Sequence, residues 1–270
     1  MLNHSKAIHT WSLFRVLGSY AAPGTMPALE GRATDPAQAV ALLDLPELLA
    51  SHGFASAQIC HFSLPSTDPG YLEELRSAFV GSGVDLECFL VDHGDLADPR
   101  EGARWADWIS DWITVGEVLG AGKVRISAGD QAPSETTLAH SAAALRGLAD
   151  RHEGTRILVE NWQSLLVNAE VTLNLLERCE GRIGFLADFG NWKGPGKYDE
   201  LAQVAAFAES CQAKVSIDPD SGLDVEDFRA CLDIMESAAY TGPLSLVYDG
   251  TEQDVWTMLD EAHAQVREKV

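Results

Sequence analysis

Two stretches of the 270-residue chain end an apolar run in a carboxylate, an asparagine and a tryptophan. In TRILVENW, residues 155–162, the run stops at Glu160, and Asn161 and Trp162 follow. In RIGFLADFGNW, residues 182–192, it stops at Asp188, with Asn191 and Trp192 just beyond. A carboxylate at the mouth of a buried strand is costly unless it has a partner or a task. Two such strands predict a shared site at one end of a sheet. Carboxylates there suit general-base work or the binding of a hard divalent cation through oxygen.

Other residues at predicted strand ends suit a polyol. His61 closes the second predicted strand; His93, with Asp92 and Asp95, follows the third. Arg125 and Ser127 alternate on the fourth. Trp162 and Trp192 are candidates for a wall that stacks on a sugar ring. Lys214 could hold an anionic oxygen, or act as acid or base if burial lowers its pKa. Each has a structural alternative: histidines hydrogen-bonded at strand ends, Arg125 paired internally with Glu160, tryptophans packed under loops. His4, His9, His52, His140, His152 and His263 read as incidental. No HxxxH or HExxH spacing occurs, and no GxSxG nucleophile elbow.

The elements that must position these residues alternate eight times. Short apolar runs at 7–13, 56–62, 84–91, 123–128, 155–160, 183–188, 213–217 and 243–248 predict strands. Several are nearly continuous in apolar residues, as parallel strands covered on both faces are. Helical periods at 37–51, 69–82, 101–119, 134–151, 169–179, 198–210, 225–238 and 252–269 lie between them. Asp35-Pro36, Asp68-Pro69 and Asp98-Pro99 predict N-caps followed by a proline in the first turn, and Asp224 and Thr251 predict two more caps. Eight strand–helix units in a chain of this length predict a single (β/α)8 TIM barrel with parallel strands and outer helices. A doubly wound open sheet is the runner-up. No GxGxxG follows the first strand, so no nucleotide cofactor is expected.

In such a barrel the site lies at the C-terminal strand ends. The long stretch at 14–36 after the first strand is either a substrate lid or a simple insertion, and it carries Arg15 as a candidate substrate contact. Trp105, Trp108 and Trp112 share one helix face, for packing on the barrel or for contact between copies in a homo-oligomer.

The formal net charge is −22 and the apolar fraction 46%. So acidic a chain argues against nucleic acid or an anionic membrane as partner. No stretch approaches the roughly 18 apolar residues of a membrane span. The N-terminus lacks the apolar run of a signal peptide. Five cysteines without a CxxC pair read as reduced core thiols. A cytoplasmic location is expected.

Taken in order, ILVEN on the fifth strand, FLADFGN on the sixth, CQAKV on the seventh and GPLSLVYDG on the eighth resemble the xylose isomerase-like barrel superfamily. That group holds sugar-phosphate isomerases and epimerases together with endonuclease IV-like enzymes. The resemblance implies one divalent metal, Mg or Mn, held by Glu160, Asp188 and Gln212. The fourth ligand position of the family falls on Val247, which can neither bind metal nor move a proton. Asp249, two residues on, points the same way and could replace the missing carboxylate from a shifted position. The resemblance further implies proton abstraction next to the carbonyl of a small polyol, keto-sugar or related compound. Glu160 would be the base, with Lys214 and Asp249 as accessory acid or base. Isomerisation, epimerisation, dehydration and β-elimination all begin this way. The rival is a barrel that has lost metal and catalysis and binds a sugar or a protein. The His-rich cluster of a nuclease of this superfamily is missing.

Overall fold

The computed structural model describes residues 2, 5–17, 39–218, 222–250 and 254–267. Eight parallel strands among them close into a barrel: β1 Lys6–His9, β2 Ser56–Cys60, β3 Asp85–Val91, β4 Lys123–Ile126, β5 Arg156–Glu160, β6 Gly184–Asp188, β7 Ala208–Lys214 and β8 Leu244–Val247. Each pairs with its sequence neighbours, and β1 pairs with β8 to complete the ring. The helices are α1 Phe14–Leu17, α2 Leu45–Ser51, α3 Pro69–Ser82, α4 Gly102–Leu119, α5 Glu135–Arg151, α6 Ala169–Arg178, α7 Lys197–Val204, α8 Val225–Ser237 and α9 Val255–Arg267. A two-residue antiparallel pair, Ile217–Asp218 with Gly222–Leu223, follows β7. The architecture is the (β/α)8 barrel that the alternation predicts. No helix among the described residues is long and apolar enough to cross a membrane.

Alternation along the strands sorts side chains into two cores. Outward-facing residues such as Phe89, Val124, Val159 and Phe185 join the main core under the helices. Inside the ring, Cys60, Cys88, Leu90, Leu158 and Leu186 form a separate small apolar cluster. Below it Glu87 Oε1 takes Lys123 Nζ at 2.9 Å, and Glu87 Oε2 takes Gln58 Nε2 at 2.9 Å and Ser210 Oγ at 3.1 Å. The barrel thus has a polar plug at the N-terminal ends, an apolar waist and, as shown below, a charged mouth. All five cysteines are free and buried.

The structure shifts several predicted boundaries. The first strand stops at His9, where Trp11 N donates to His9 Nδ1 and the chain curls into the 3-10 turn Thr10–Leu13. The stretch at 14–36 begins with α1; its residues 18–36, and with them the lid question and Asp35-Pro36, lie outside the described residues. The second helix starts at Leu45, because Pro46 in its first turn disfavours helix before it. Asp98 does not cap α4. Its Oδ1 accepts from Arg100 N and Glu101 N in a separate turn, and the helix begins three residues later than that proline at Gly102. Thr251 is undescribed; Asp254 Oδ2 accepts from Thr257 N at the start of α9.

Among the strands the largest shift is β7, predicted at 213–217 and found at Ala208–Lys214. The helical period there ends at Val204, and a 3-10 turn, Ala205–Phe207, leads directly into the strand. Gly184 admits it: a Cβ there would lie 2.5 Å from Glu209 Oε1. The tryptophan face of α4 packs on the barrel, Trp112 against Phe89 and His61.

Candidate active site

The C-terminal strand ends enclose a cavity of about 230 Å³. Its lining includes Asp92 just past β3, Arg125 on β4, Glu160 at the end of β5, Asp188 at the end of β6, and Gln212 and Lys214 on β7. Trp11, Phe62 and Trp162 give it aromatic walls. Neighbouring strands put these groups in contact. Leu90 pairs with Arg125 and Arg125 with Leu158, so Asp92, Arg125 and Glu160 rise side by side.

Arg125 links the two carboxylates. Its Nη2 lies 2.6 Å from Asp92 Oδ1 and its Nε 2.8 Å from Glu160 Oε2. The first contact is a hydrogen bond; the second is close but lacks hydrogen-bond alignment, so Nε and Oε2 keep unused capacity. Arg125 also faces the Trp162 ring at 5.2 Å. The other oxygen of Glu160 accepts from Asn191 Nδ2 at 2.6 Å. Asn161 clamps β5 to β6: its Nδ2 donates to Asp188 O and its Oδ1 accepts from Asp188 N. Asp188 Oδ1 accepts from Gly190 N at 2.5 Å. Gly190 is glycine because a Cβ would meet Lys214 Cδ at 2.6 Å, where the lysine crosses the mouth. Lys214 Nζ ends 2.8 Å from Asp249 Oδ2.

Three carboxylates and two cations line the cavity, which leaves one negative charge in excess in a site shielded from water. A proton is the cheapest remedy. Burial pushes the Glu160 carboxyl up to about 8; Arg125 opposes this, and the nearby Asp188 and Asp92 add to it. Asp188 is also raised by burial, with Lys214 and two backbone N–H groups working against the shift. Burial would raise Asp92 too, but Arg125 and His61 outweigh it and hold that carboxyl well below the usual range. Burial lowers His9 to about 3, so its ring is neutral.

The structure brings together Glu160, Asp188, Gln212, Lys214, Arg125, Trp162 and Asn191, with Val247 on the same wall. Other candidates fall elsewhere. Arg15 Nη2 donates to Gly250 O at 2.9 Å, outside the cavity lining. His93 turns outward and packs edge-on against Trp105 and Trp108. His61 sits behind the wall, where its Nδ1 accepts from Asp92 N at 3.3 Å, so it supports Asp92 without reaching the cavity. Trp192 lines a neighbouring cavity and donates from Nε1 to Leu166 O. Asp249 lies outside the cavity lining and meets it at Lys214, 2.8 Å away.

Several cavity residues, among them His9, Trp11, Cys60 and Phe62, were not among the candidates. His9, set aside as incidental for its nearness to the N-terminus, in fact ends β1 and lines the cavity. Asp92, named only beside His93, is the one of that pair that reaches the cavity, as the inward alternation Cys88, Leu90, Asp92 dictates.

The donor set does not fit a divalent cation. Glu160 Oε1 is taken by an amide and Oε2 lies 2.8 Å from a guanidinium nitrogen, Asp188 Oδ1 is taken by a backbone N–H, and Val247, where the resemblance implies a fourth ligand, offers no donor atom. Two fixed cations, Arg125 and Lys214, share the space. Among the described residues no three His, Cys, Asp or Glu side chains are grouped to hold a metal.

An eight-stranded barrel with a charged cavity at its C-terminal strand ends defines the general class, and sequence and structure comparisons narrow it. The model of the xylose isomerase-like TIM barrel family matches residues 46–268, and the chain belongs to that family. The comparison with curated proteins finds no match. Similar solved structures include a 3-keto-D-glucoside 4-epimerase from E. coli, 14% identical over 84% of this chain and 94% of the other, with a TM-score of 0.66. A D-psicose 3-epimerase with D-tagatose from Clostridium cellulolyticum H10 is 15% identical over 97% and 96%, with a TM-score of 0.67. A xylose isomerase-like barrel from Mycobacterium smegmatis in complex with magnesium is 13% identical over 99% and 98%, with a TM-score of 0.71.

Proposed function

We propose that the chain is an enzyme that removes a proton next to the carbonyl of a keto-sugar or related hydroxy-carbonyl compound. The observation that carries this reading is Glu160: a buried carboxyl with a raised pKa, open to a cavity and 2.8 Å from a guanidinium nitrogen. Deprotonated Glu160 takes the proton, and the electron pair of the broken C–H bond moves onto the carbonyl oxygen. Arg125 and the unpaired Nε2 of Gln212 are the donors that stabilise that oxygen. Asn191 holds Glu160 by its other oxygen and so orients the base. Trp11, Phe62 and Trp162 supply apolar faces for the C–H side of the ring.

Val247 stands where a second base on the opposite face would be needed. One base accounts for a proton shift between adjacent carbons on the same face, or for loss of a β-hydroxyl. In the second case Lys214, backed by Asp249, delivers a proton to the departing oxygen as water. Isomerisation or elimination therefore suits this site better than two-base epimerisation. The likeness to two sugar epimerases supports the class of substrate, a keto-sugar, and not a reaction. Arg125 and Lys214 take the electrostatic part that a metal would play.

The test is exchange of substrate carbon-bound hydrogen in heavy water, followed by NMR over a panel of keto-sugars, with metal analysis of the purified protein. Exchange that survives chelation and vanishes in Glu160→Ala supports the reading. Exchange that returns only with added Mg or Mn overturns its metal-free form. No exchange from any keto-sugar leaves a sugar-binding barrel as the better account.

A further inference from the structure

A second cavity, of about 350 Å³, opens beside the first at the ends of β5 and β6. Trp162 and Asn191 line both, so the two spaces share a wall. Trp162 is fixed there by a tight turn in which its N donates to Glu160 O at 2.7 Å. The floor of the second cavity includes the Trp192 indole, whose N–H is already spent on Leu166 O at 2.9 Å. What it offers a ligand is therefore a ring face. The rim is polar. Gln163 is held there with a left-handed backbone, φ 64°, which a residue with a side chain rarely adopts. The charge of Lys197 is neutralised by Asp227, at 2.5 and 2.7 Å, Glu200 accepts from Ala169 N, and Lys193, also on the rim, is exposed to solvent.

An aromatic floor, a shared aromatic wall and an amide rim with its nearest buried charge already paired suit an uncharged ring bearing hydroxyls. The first cavity, about 230 Å³, is below the roughly 300 Å³ at which typical ligand pockets begin, and the adjoining one, about 350 Å³, is above it. We propose that the second cavity is a subsite for a second sugar unit, so that the substrate is a glycoside. One ring presents its carbonyl to Glu160 and the other stacks in the cavity between Trp162 and Trp192. This rests on the reading of the first cavity as a keto-sugar site.

The experiment is calorimetric titration of Glu160→Gln, which binds without turnover, with 3-ketoglucose and with the 3-keto derivatives of maltose and cellobiose. At least one disaccharide is expected to bind tenfold or more tightly than the monosaccharide. Val167→Trp, added at a half-exposed position that lines only the second cavity, is expected to bring the ratio close to one. The position is exposed, so the substitution leaves the core packing untouched, and a melting curve checks the fold. Equal affinity for one ring and two, or a preference untouched by Val167→Trp, overturns the subsite and leaves the keto-sugar site standing. Failure of all three sugars to bind overturns both.

Discussion

The barrel mouth and the outer helical layer each hold three residues that look like catalytic machinery. At the mouth, Asp92, Arg125 and Glu160 are joined at 2.6 and 2.8 Å. Outside, Ser110 Oγ lies 2.7 Å from His152 Nε2, and His152 Nδ1 lies 2.9 Å from Glu117 Oε1. By residue type and distance the outer set is the better imitation of a nucleophile, base and acid. Its capacity is already spent, however. Both ring nitrogens of His152 are engaged, and Glu117 Oε1 also accepts from Thr155 Oγ1 at 2.6 Å. Ser110 lies in the middle of α4, where its own N–H belongs to the helix ladder and cannot serve an oxyanion. At the mouth, Gln212 Nε2, Asp92 Oδ2, Arg125 Nε and Glu160 Oε2 are buried without hydrogen-bond partners and their residues line a cavity. Unspent donors and acceptors facing a cavity mark the site; short distances alone tie α4 to the end of α5.

The sharpest break of that comparison is Glu160→Gln. The loss of a general base is expected to lower kcat/KM by about 10²–10⁴-fold. Stability should move the other way. The carboxyl of Glu160 has a folded pKa of about 8 against an ordinary value of 4.5. A raised carboxyl pKa stabilises the fold fully below the unfolded value, and that contribution is lost as pH rises through the folded one. Glu160→Gln should therefore melt above wild type at pH 8, with the gap closing toward pH 5. A variant that loses activity and melts lower at pH 8 would make Glu160 a structural partner of Arg125, on a par with the outer cluster.

Arg125→Met tests the other half of the mouth. It removes the shared cation of two buried carboxylates, and breaking such a pair from one side costs about 3–5 kcal/mol. Denaturant unfolding measures this. A loss under about 1 kcal/mol would mean that water already solvates Asp92 and Glu160, against the closed geometry of the site.

How much of this was legible in the sequence depends on how local the signal is. The third helix was predicted at 69–82 and occurs there, because Asp68-Pro69 opens it and Gly83, with φ 73°, ends it. Glu160 and Asp188 were legible because each ends an apolar run. β7 was not, since Ala208-Glu209-Ser210 carries helix-compatible residues and becomes strand only by pairing with Gly184-bearing β6. The Arg125–Glu160 pair stood open as one of two readings, and Asp92 joined it only when strand order set β3, β4 and β5 side by side. His9 did not stand out, because the apolar run goes on to Leu13 and only the turn at Thr10 makes His9 a strand end.

The pH profile sharpens the comparison further. A base with a pKa of about 8 must lose its proton to act, so log kcat/KM should rise with unit slope below pH 8 and level off above it. Each unit below the bend costs about tenfold. A profile flat from pH 6 to 9 would show that the Arg125 contact dominates and that Glu160 is ionised throughout.

The smallest effect belongs to the outer cluster. Ser110→Ala removes one hydrogen bond to His152 and should cost about 1 kcal/mol of stability, measured by denaturant unfolding. Keto-sugar turnover should stay at the wild-type rate, because Ser110, Glu117 and His152 all lie outside the cavity lining. A serine-directed fluorophosphonate should leave Ser110 unlabelled, since nothing near it could stabilise the adduct's oxygen. Labelling at Ser110, followed by mass spectrometry, would reverse the ranking of the two regions: the outer cluster would then hold reactive capacity that its filled hydrogen bonds conceal.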